Sequence, residues 1–236
     1  TRDDSYISSL TYHLEIWDAC GFKAPKFAHL LPLNKKDGDK SKWQLNDKIE
    51  PAKSTQKKII SIDEDGKNMY IVENGNDIFA IECGMKYPGA DQLGIEMIIP
   101  DFEYLKENAD RVKGVFITHG HDDVIGALAN LLKEVKVPVY MAPLTAKLFD
   151  RRAKKEGLKD YEIHRVRRNG QFKIGQTEIR TFGTTQSIAD GFGVAIKTSD
   201  GYIVYTSEFI VDYDIKNEAF STDITNITDL GHDGVL

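Results

Sequence analysis

The chain has 236 residues, a formal net charge of −6 and an apolar content of 41%, which is ordinary for a globular protein with a sizeable buried core. No apolar run approaches the ~20 residues that a membrane-spanning helix needs, and the polar start is unlike a secretory signal. These features argue against a membrane protein and predict a cytoplasmic location. Cys20 and Cys83 lack the spacing of a metal-binding pair, so we expect reduced thiols.

Residues 1–56 are predicted to form a separate N-terminal module, mainly helical and irregular. Ser8 to Gly21 fits an amphipathic helix, because Leu10, Leu14 and Trp17 fall on one stripe. The rest of this module is rich in lysine and shows no regular apolar period.

Residues 57–236 alternate β-rich segments with helices, a pattern that predicts an α/β fold. Strands are predicted at Lys58 to Ile62, Met69 to Glu73, Asp77 to Glu82, Arg111 to Ile117, Val137 to Met141, Glu162 to Val166, Thr177 to Phe182, Phe192 to Thr198 and Tyr202 to Thr206. Helices are predicted at Asp101 to Asp110, Gly126 to Glu134, Pro143 to Gly157 and Thr222 to Leu230. Asn74-Gly75-Asn76 and Ser199-Asp200-Gly201 are typical of tight hairpin turns.

The segment from Thr118 to Ala127 contains the strongest candidate for chemistry. It lies between a strand and a helix, where open α/β sheets place their sites. His119 and His121, at i and i+2 in an extended segment, point to the same side, and Asp123 adds a hard oxygen ligand. This pattern indicates a site for a divalent metal, although a polar turn with solvated histidines would show the same residues.

A second candidate is a basic cluster in the following helix and strand. Its members are Arg151, Arg152, Lys154, Lys155, Arg165, Arg167 and Arg168. Because the chain as a whole is acidic, such a cluster is the part that a nucleic acid would contact. The alternative is a solvated helix end followed by a solvated strand.

The segment from Thr118 to Ala127 resembles the T-H-G-H-x-D-H-I-G-A signature of metallo-β-lactamase-fold nucleases of the β-CASP group, and within them the ribonuclease J family. The resemblance runs from about Lys57 to Leu236. It includes Gly84 to Pro88, Leu93-Gly94, Ile99 to Asp101, Tyr104-Leu105, Asn108, Thr184 to Asp190 and Tyr205 to Phe209. It implies the N-terminal half of a metallo-β-lactamase-like αββα sandwich, whose uncovered apolar surface would favour self-association or binding to a fuller relative.

The family's site holds two divalent ions, Zn²⁺ or Mn²⁺, that activate water for attack on a phosphodiester. The resemblance implies His119, His121, Asp123 and Glu208 as metal ligands, with the first three catalytic if the site is active. Three positions depart from the family pattern: Val124 and Gln186 replace histidines, and Glu208 replaces an aspartate. Valine cannot coordinate, and a neutral amide is a poor substitute for imidazole, so we expect a partial or absent metal complement.

The resemblance is closest to the degenerate second ribonuclease J paralogue of low-GC Gram-positive bacteria. It implies a subunit for RNA processing or decay that acts through RNA binding or through assembly with itself or an active paralogue. One alternative is an active metal-dependent ribonuclease. Another is a non-enzymatic adaptor for RNA or a partner protein, since residues 1–45 resemble a glutamyl-tRNA synthetase segment without its nucleotide-binding motifs.

Overall fold

The computed structural model describes residues 57–61, 69–90, 92–210, 212, 214–232 and 234–235. The predicted module of residues 1–56, including its helix at Ser8 to Gly21, lies outside these residues, so the division into 1–56 and 57–236 stays a prediction. In the described part of the chain, no helix has the length and apolar character that crossing a membrane requires.

The first sheet contains six strands that lie in chain order. They are β1 (Lys57–Ser61), β2 (Tyr70–Asn74), β3 (Asp77–Ile81), β4 (Val112–Ile117), β5 (Val139–Met141) and β6 (Ile163–Arg165). The first three pair antiparallel, and β3 to β6 pair parallel. Gly75 adopts a φ of 63° between β2 and β3, which confirms the predicted hairpin turn.

The second sheet has four antiparallel strands in the order β10-β9-β8-β7. They are β7 (Gly170–Ile174), β8 (Thr177–Gly183), β9 (Phe192–Lys197) and β10 (Tyr202–Tyr205). The sequence pattern did not indicate β7. This strand alternates exposed Gln171 and Lys173 with a half-buried Phe172, so its apolar signal is weak.

Helices connect the parallel strands of the first sheet and close the described chain. They are α1 (Glu103–Glu107), α2 (Asp122–Ile125), α3 (Leu128–Glu134), α4 (Pro143–Lys155) and α5 (Ile224–His232), with a 3-10 turn at Glu218–Phe220. Proline at the first position of α4 and Gly157 at φ 69° after its end explain the bounds of that helix.

The strands alternate between two apolar layers. In β4, Val115 and Ile117 belong to the cluster shared with the helices, whereas Phe116 belongs to the cluster shared with the second sheet. Burying a side chain of this size contributes about 2 kcal/mol, so the period-2 pattern fixes the register of the strand. Leu230 of α5 covers the outer face of the second sheet beside Tyr202. The layers are therefore helix, sheet, sheet and helix, and the predicted αββα sandwich is confirmed.

Candidate functional site

The two histidines lie in the loop that follows β4, as the sequence predicts. His119 is 1% exposed, and His121 directly precedes α2. Their rings meet edge to face with centroids 4.7 Å apart. Because β3 and β4 are parallel, the loop lies beside Glu82, the residue that follows β3.

Glu82 supports the histidine loop through hydrogen bonds to Thr118. Its carboxyl group accepts hydrogen bonds from the Thr118 backbone N–H (3.2 Å) and from the Thr118 hydroxyl. Complete burial raises the pKa of Glu82 to about 8; the bonds from Thr118 oppose this shift, and the charges of Asp123 and Glu208 add to it. Glu82 also has a φ of 64°, a strained value for a residue with a side chain.

One ring nitrogen of His119 has hydrogen-bond partners, and the other has none among the described residues. Its Nδ1 lies 3.0 Å from the Thr118 hydroxyl and 3.4 Å from the Ser207 hydroxyl. Its Nε2 is buried and has no hydrogen-bond partner among the described residues. Burial, and then the neighbouring His121, lower the pKa of His119 to about 4, so the imidazole is neutral at pH 7.

The residues beside the histidines are engaged with other parts of the protein. His121 Nε2 lies 3.3 Å from the Ser187 hydroxyl. Asp122 accepts hydrogen bonds from Arg152 and from the Tyr87 hydroxyl (2.9 Å). Partial burial raises the pKa of Asp122, but these two bonds outweigh it and hold the pKa below its usual range. Asp122 therefore ties the loop to α4.

The remaining predicted ligand positions face three different surroundings. Val124 is 2% exposed within the apolar cluster under the helices, and its carbonyl accepts from the Cys83 N–H at 2.7 Å. The Gln186 amide donates to the Glu208 backbone carbonyl, and the Glu208 side chain is exposed. Asp123 is half-buried. The described residues contain no group of three or more His, Cys, Asp or Glu side chains that could hold a metal ion.

These surroundings do not fit a centre of two metal ions. The bare Nε2 of His119 is suited to a ligand, because a buried nitrogen without a partner is unfavourable unless something binds it. The Val124 side chain is apolar and cannot coordinate an ion. The Gln186 amide already donates a hydrogen bond to the Glu208 backbone carbonyl. The metal-ligand roles of His119, His121, Asp123 and Glu208 stay predictions.

The predicted basic cluster is divided among three settings. Arg151, Lys154 and Lys155 are exposed on the last turns of α4, and Arg165 and Arg167 are exposed in and after β6. The remaining two have structural partners. Arg152 is paired with Asp122.

Arg168 joins three segments of backbone. Its guanidinium donates to the carbonyls of Gly191 (3.0 Å), Glu218, Thr184 (3.4 Å) and Ser221. The side chain thereby connects the loop between β8 and β9 with the segment before α5. A phosphate at Arg168 would have to displace these carbonyls. RNA binding by the whole cluster stays a prediction.

We expect Arg168→Ala to lower the free energy of unfolding by about 3 kcal/mol, because several carbonyls lose a charged donor at once. Arg167→Ala is the matched control, because the exposed Arg167 side chain makes no hydrogen bond or ion pair within the described residues. It should change stability by less than about 0.5 kcal/mol. Urea denaturation followed by circular dichroism measures both. Equal effects of the two substitutions would contradict the anchoring role.

Two serines contact the histidines without having been predicted. Ser187 lies beside His121, and Ser207, at a φ of 61°, lies beside Thr118 and His119. Both fall within segments that resemble the family, but serine carries no metal-ligand signal. Only the three-dimensional contacts identify them.

Comparison with known proteins accounts for this arrangement. The sequence-family model described as "Metallo-beta-lactamase superfamily" matches residues 62–226. The chain belongs to the metallo-beta-lactamase superfamily. A crystal structure of a protein of unknown function from Enterococcus faecalis V583 has the same fold, with a TM-score of 0.53 at 13% identity over 66% of this chain and 44% of that one.

Two relatives confirm the resemblance to ribonuclease J. Ribonuclease J 2 of Staphylococcus aureus is 38% identical over 176 residues, and that of Staphylococcus epidermidis is 36% identical over 176. The match covers 74% of this chain and 31% of either relative. The chain therefore spans about a third of the length of these superfamily members.

Proposed function

We propose that this chain is a ribonuclease J-like subunit for RNA processing or decay that does not hydrolyse RNA through a two-ion centre. Its role is RNA binding, or assembly with itself or with an active paralogue. The observation that carries the proposal is Val124, an apolar side chain packed into the core where the family has a metal-binding histidine. Location in the cytoplasm belongs to the same proposal.

Hydrogen bonds at the Val124 and Gln186 positions support the proposal that the site lacks a two-ion centre. The carbonyl of Val124 is fixed by the N–H of Cys83, so the valine side chain stays among apolar neighbours. The Gln186 side-chain amide donates a hydrogen bond to the backbone carbonyl of Glu208 and thereby holds that segment in place. These positions are stabilised by the protein itself and do not depend on an ion.

Electrostatics point the same way. At pH 7 His119 is neutral, and the nearby carboxylates of Asp123 and Glu208 contribute negative charge. A phosphodiester anion is repelled from such a site unless cations neutralise it. RNA therefore contacts this protein more favourably at its exposed basic side chains.

One observation favours a second candidate, a hydrolase that uses a single ion. The buried Nε2 of His119 lacks a partner within the described residues, and the His121 ring lies 4.7 Å from the His119 ring; Asp123 and Glu208 are the other predicted ligands of a shared ion. The adaptor hypothesis depends on residues 1–56, which lie outside the described chain.

Metal content and RNA cleavage together separate the first two candidates, because a single-ion hydrolase would hold one ion per chain and would cut RNA. We expect fewer than two Zn²⁺ or Mn²⁺ per chain by elemental analysis after dialysis, because each lost ligand should weaken affinity at least as much as the roughly 10- to 100-fold effect of an outer-shell change. Single-stranded RNA incubated with either metal should remain uncut. His119→Ala is the comparison: two tightly held ions, with cleavage that this substitution abolishes, would identify a working nuclease.

A further inference from the structure

A row of aromatic rings crosses the first sheet on the side that faces the second sheet. Phe79, Phe116, Tyr140 and His164 stand on β3, β4, β5 and β6, respectively. Successive ring centroids are 6.2, 5.2 and 4.9 Å apart. The last pair is nearly parallel, with an interplanar angle of 15°. The row thus becomes a regular stack where it reaches β6.

The row ends at an open edge. β6 is the outermost strand of the first sheet among the described residues. Tyr140 covers one face of the His164 ring, and 45% of the His164 side chain is exposed. The His164 Nε2 lies 2.7 Å from a Glu162 carboxylate oxygen, which fixes the plane of the ring. A planar ligand could therefore add to the row as its next member.

The surroundings of this edge carry positive charge. Residues 150–168 contain eight lysines and arginines against four acids, a local net charge of +4 in a chain of −6. Three of the acids have partners: Asp150 accepts from Tyr161, Glu156 pairs with Lys133, and Glu162 contacts His164. Within this segment, the exposed cations with no side-chain partner in the described chain are Arg151, Lys154, Lys155, Lys159, Arg165 and Arg167.

Space is available on the opposite face of β6, which faces α4. A cavity of about 550 Å³ lies between α4 and β6, and its lining includes Asp150, Tyr161, Ile163, His164 and Arg165. It is large enough for a nucleoside, and one of its walls carries the cation of Arg165. The stacking ring therefore lies on one face of β6, and the Arg165 cation and the cavity lie on the other face of the same open edge.

We infer that the β6 edge binds single-stranded RNA, with a nucleobase stacked on His164 and phosphates at Arg165 and the exposed cations of α4. Single-stranded RNA is the ligand that matches, because its bases can unstack onto an aromatic ring while its backbone needs cations. This inference rests on the proposed function and locates its RNA contact. The contact is two strands away from β4, roughly 10 Å across the sheet from the strand that leads to His119.

Fluorescence anisotropy with a labelled 15-nucleotide oligoadenylate tests the site in the 236-residue chain. We expect His164→Ala to raise Kd about tenfold, the effect of losing one base-stacking contact. His164→Phe, which keeps a flat ring, should stay within about twofold of the parent chain. Arg165→Gln should weaken binding and lower the salt dependence by about one counterion.

Two controls isolate stacking. An abasic oligomer of the same length keeps the phosphates, so His164→Ala should leave its affinity unchanged. His232→Ala removes an exposed histidine at the end of α5 and should have no effect on either oligomer.

The possible failures are distinguishable. A parent chain that binds no oligoadenylate overturns RNA binding in the proposed function, and this site with it. A parent chain that binds, with His164→Ala and His164→Phe both unchanged, overturns only the stacking site and leaves the open β6 edge to strand pairing with another polypeptide.

Discussion

Val124→His should lower the free energy of unfolding by about 3 kcal/mol in metal-free buffer. The valine is 2% exposed in an apolar cluster that includes Met85 and Ile125, so the new imidazole loses water without gaining a hydrogen-bond partner. Urea denaturation in the presence of a chelator measures the change. Val124→Gln is the matched control, because it buries a polar side chain of similar size that is a poor ligand for zinc.

Zinc distinguishes the two substitutions once the other ligands are restored. In the combined variant Val124→His, Gln186→His and Glu208→Asp, saturating zinc should recover about 3 kcal/mol at a hundredfold excess over Kd. The same combination built on Val124→Gln should recover much less, since ligands of one site act together. A Val124→His chain as stable as the parent without metal would contradict the packing described for this valine.

The second large effect is a loss of stability above neutral pH. The pKa of Glu82 rises from 4.5 in the unfolded chain to about 8 in the folded protein. Between these values the folded state holds a proton that the unfolded state has released, so stability falls as pH rises, by up to about 1.4 kcal/mol per pH unit. From pH 6.5 to 8 the loss from this residue should reach about 2 kcal/mol.

His119 acts in the opposite direction below this range. Its pKa falls from 6.5 to about 4 on folding, so acidification through that interval protonates the unfolded chain first and destabilises the fold. Between pH 4.5 and 6.5 the two contributions offset each other. The pair therefore predicts a plateau there, with stability falling on either side.

Glu82→Gln tests this account, because the amide cannot titrate but keeps an oxygen for Thr118. Denaturant unfolding at several pH values should show the decline between pH 6.5 and 8 in the parent chain and not in Glu82→Gln. Glu107→Gln is the control, because Glu107 is an exposed glutamate of α1. This variant should lose stability between pH 6.5 and 8 as the parent chain does. The same slope in Glu82→Gln as in the parent would show that another group is responsible.

Local pattern predicted most of the described fold. Strands with period-2 apolar residues and the Asn-Gly and Asp-Gly turns were found within two residues of their predicted bounds, because burial and turn geometry act over short distances. Neither the polar strand β7 nor the carbonyl partners of Arg168 could be found in this way. β7 forms a hairpin with the adjacent β8 but is too polar to give an apolar signal, whereas the carbonyl partners of Arg168 lie 16 to 53 residues away in sequence.

The same distinction applies to the candidate site. Strand and helix context placed His119 and His121 correctly at the end of β4. The sequence also placed Glu82 at the end of a predicted strand, and its bonds to Thr118 support the histidine loop. It could not show that Asp122 pairs with Arg152, or that Ser187 and Ser207 contact the histidines, because these partners come from other strands and loops.

The aromatic row gives the sandwich an optical property. Both tryptophans of the chain, Trp17 and Trp43, precede residue 57, so the described part contains only phenylalanine and tyrosine as intrinsic fluorophores. His164→Trp would place a lone indole at the open end of the row, stacked on Tyr140. In a chain whose two native tryptophans are replaced by phenylalanine, its emission would report events at the β6 edge alone, and a base that stacked there would quench it.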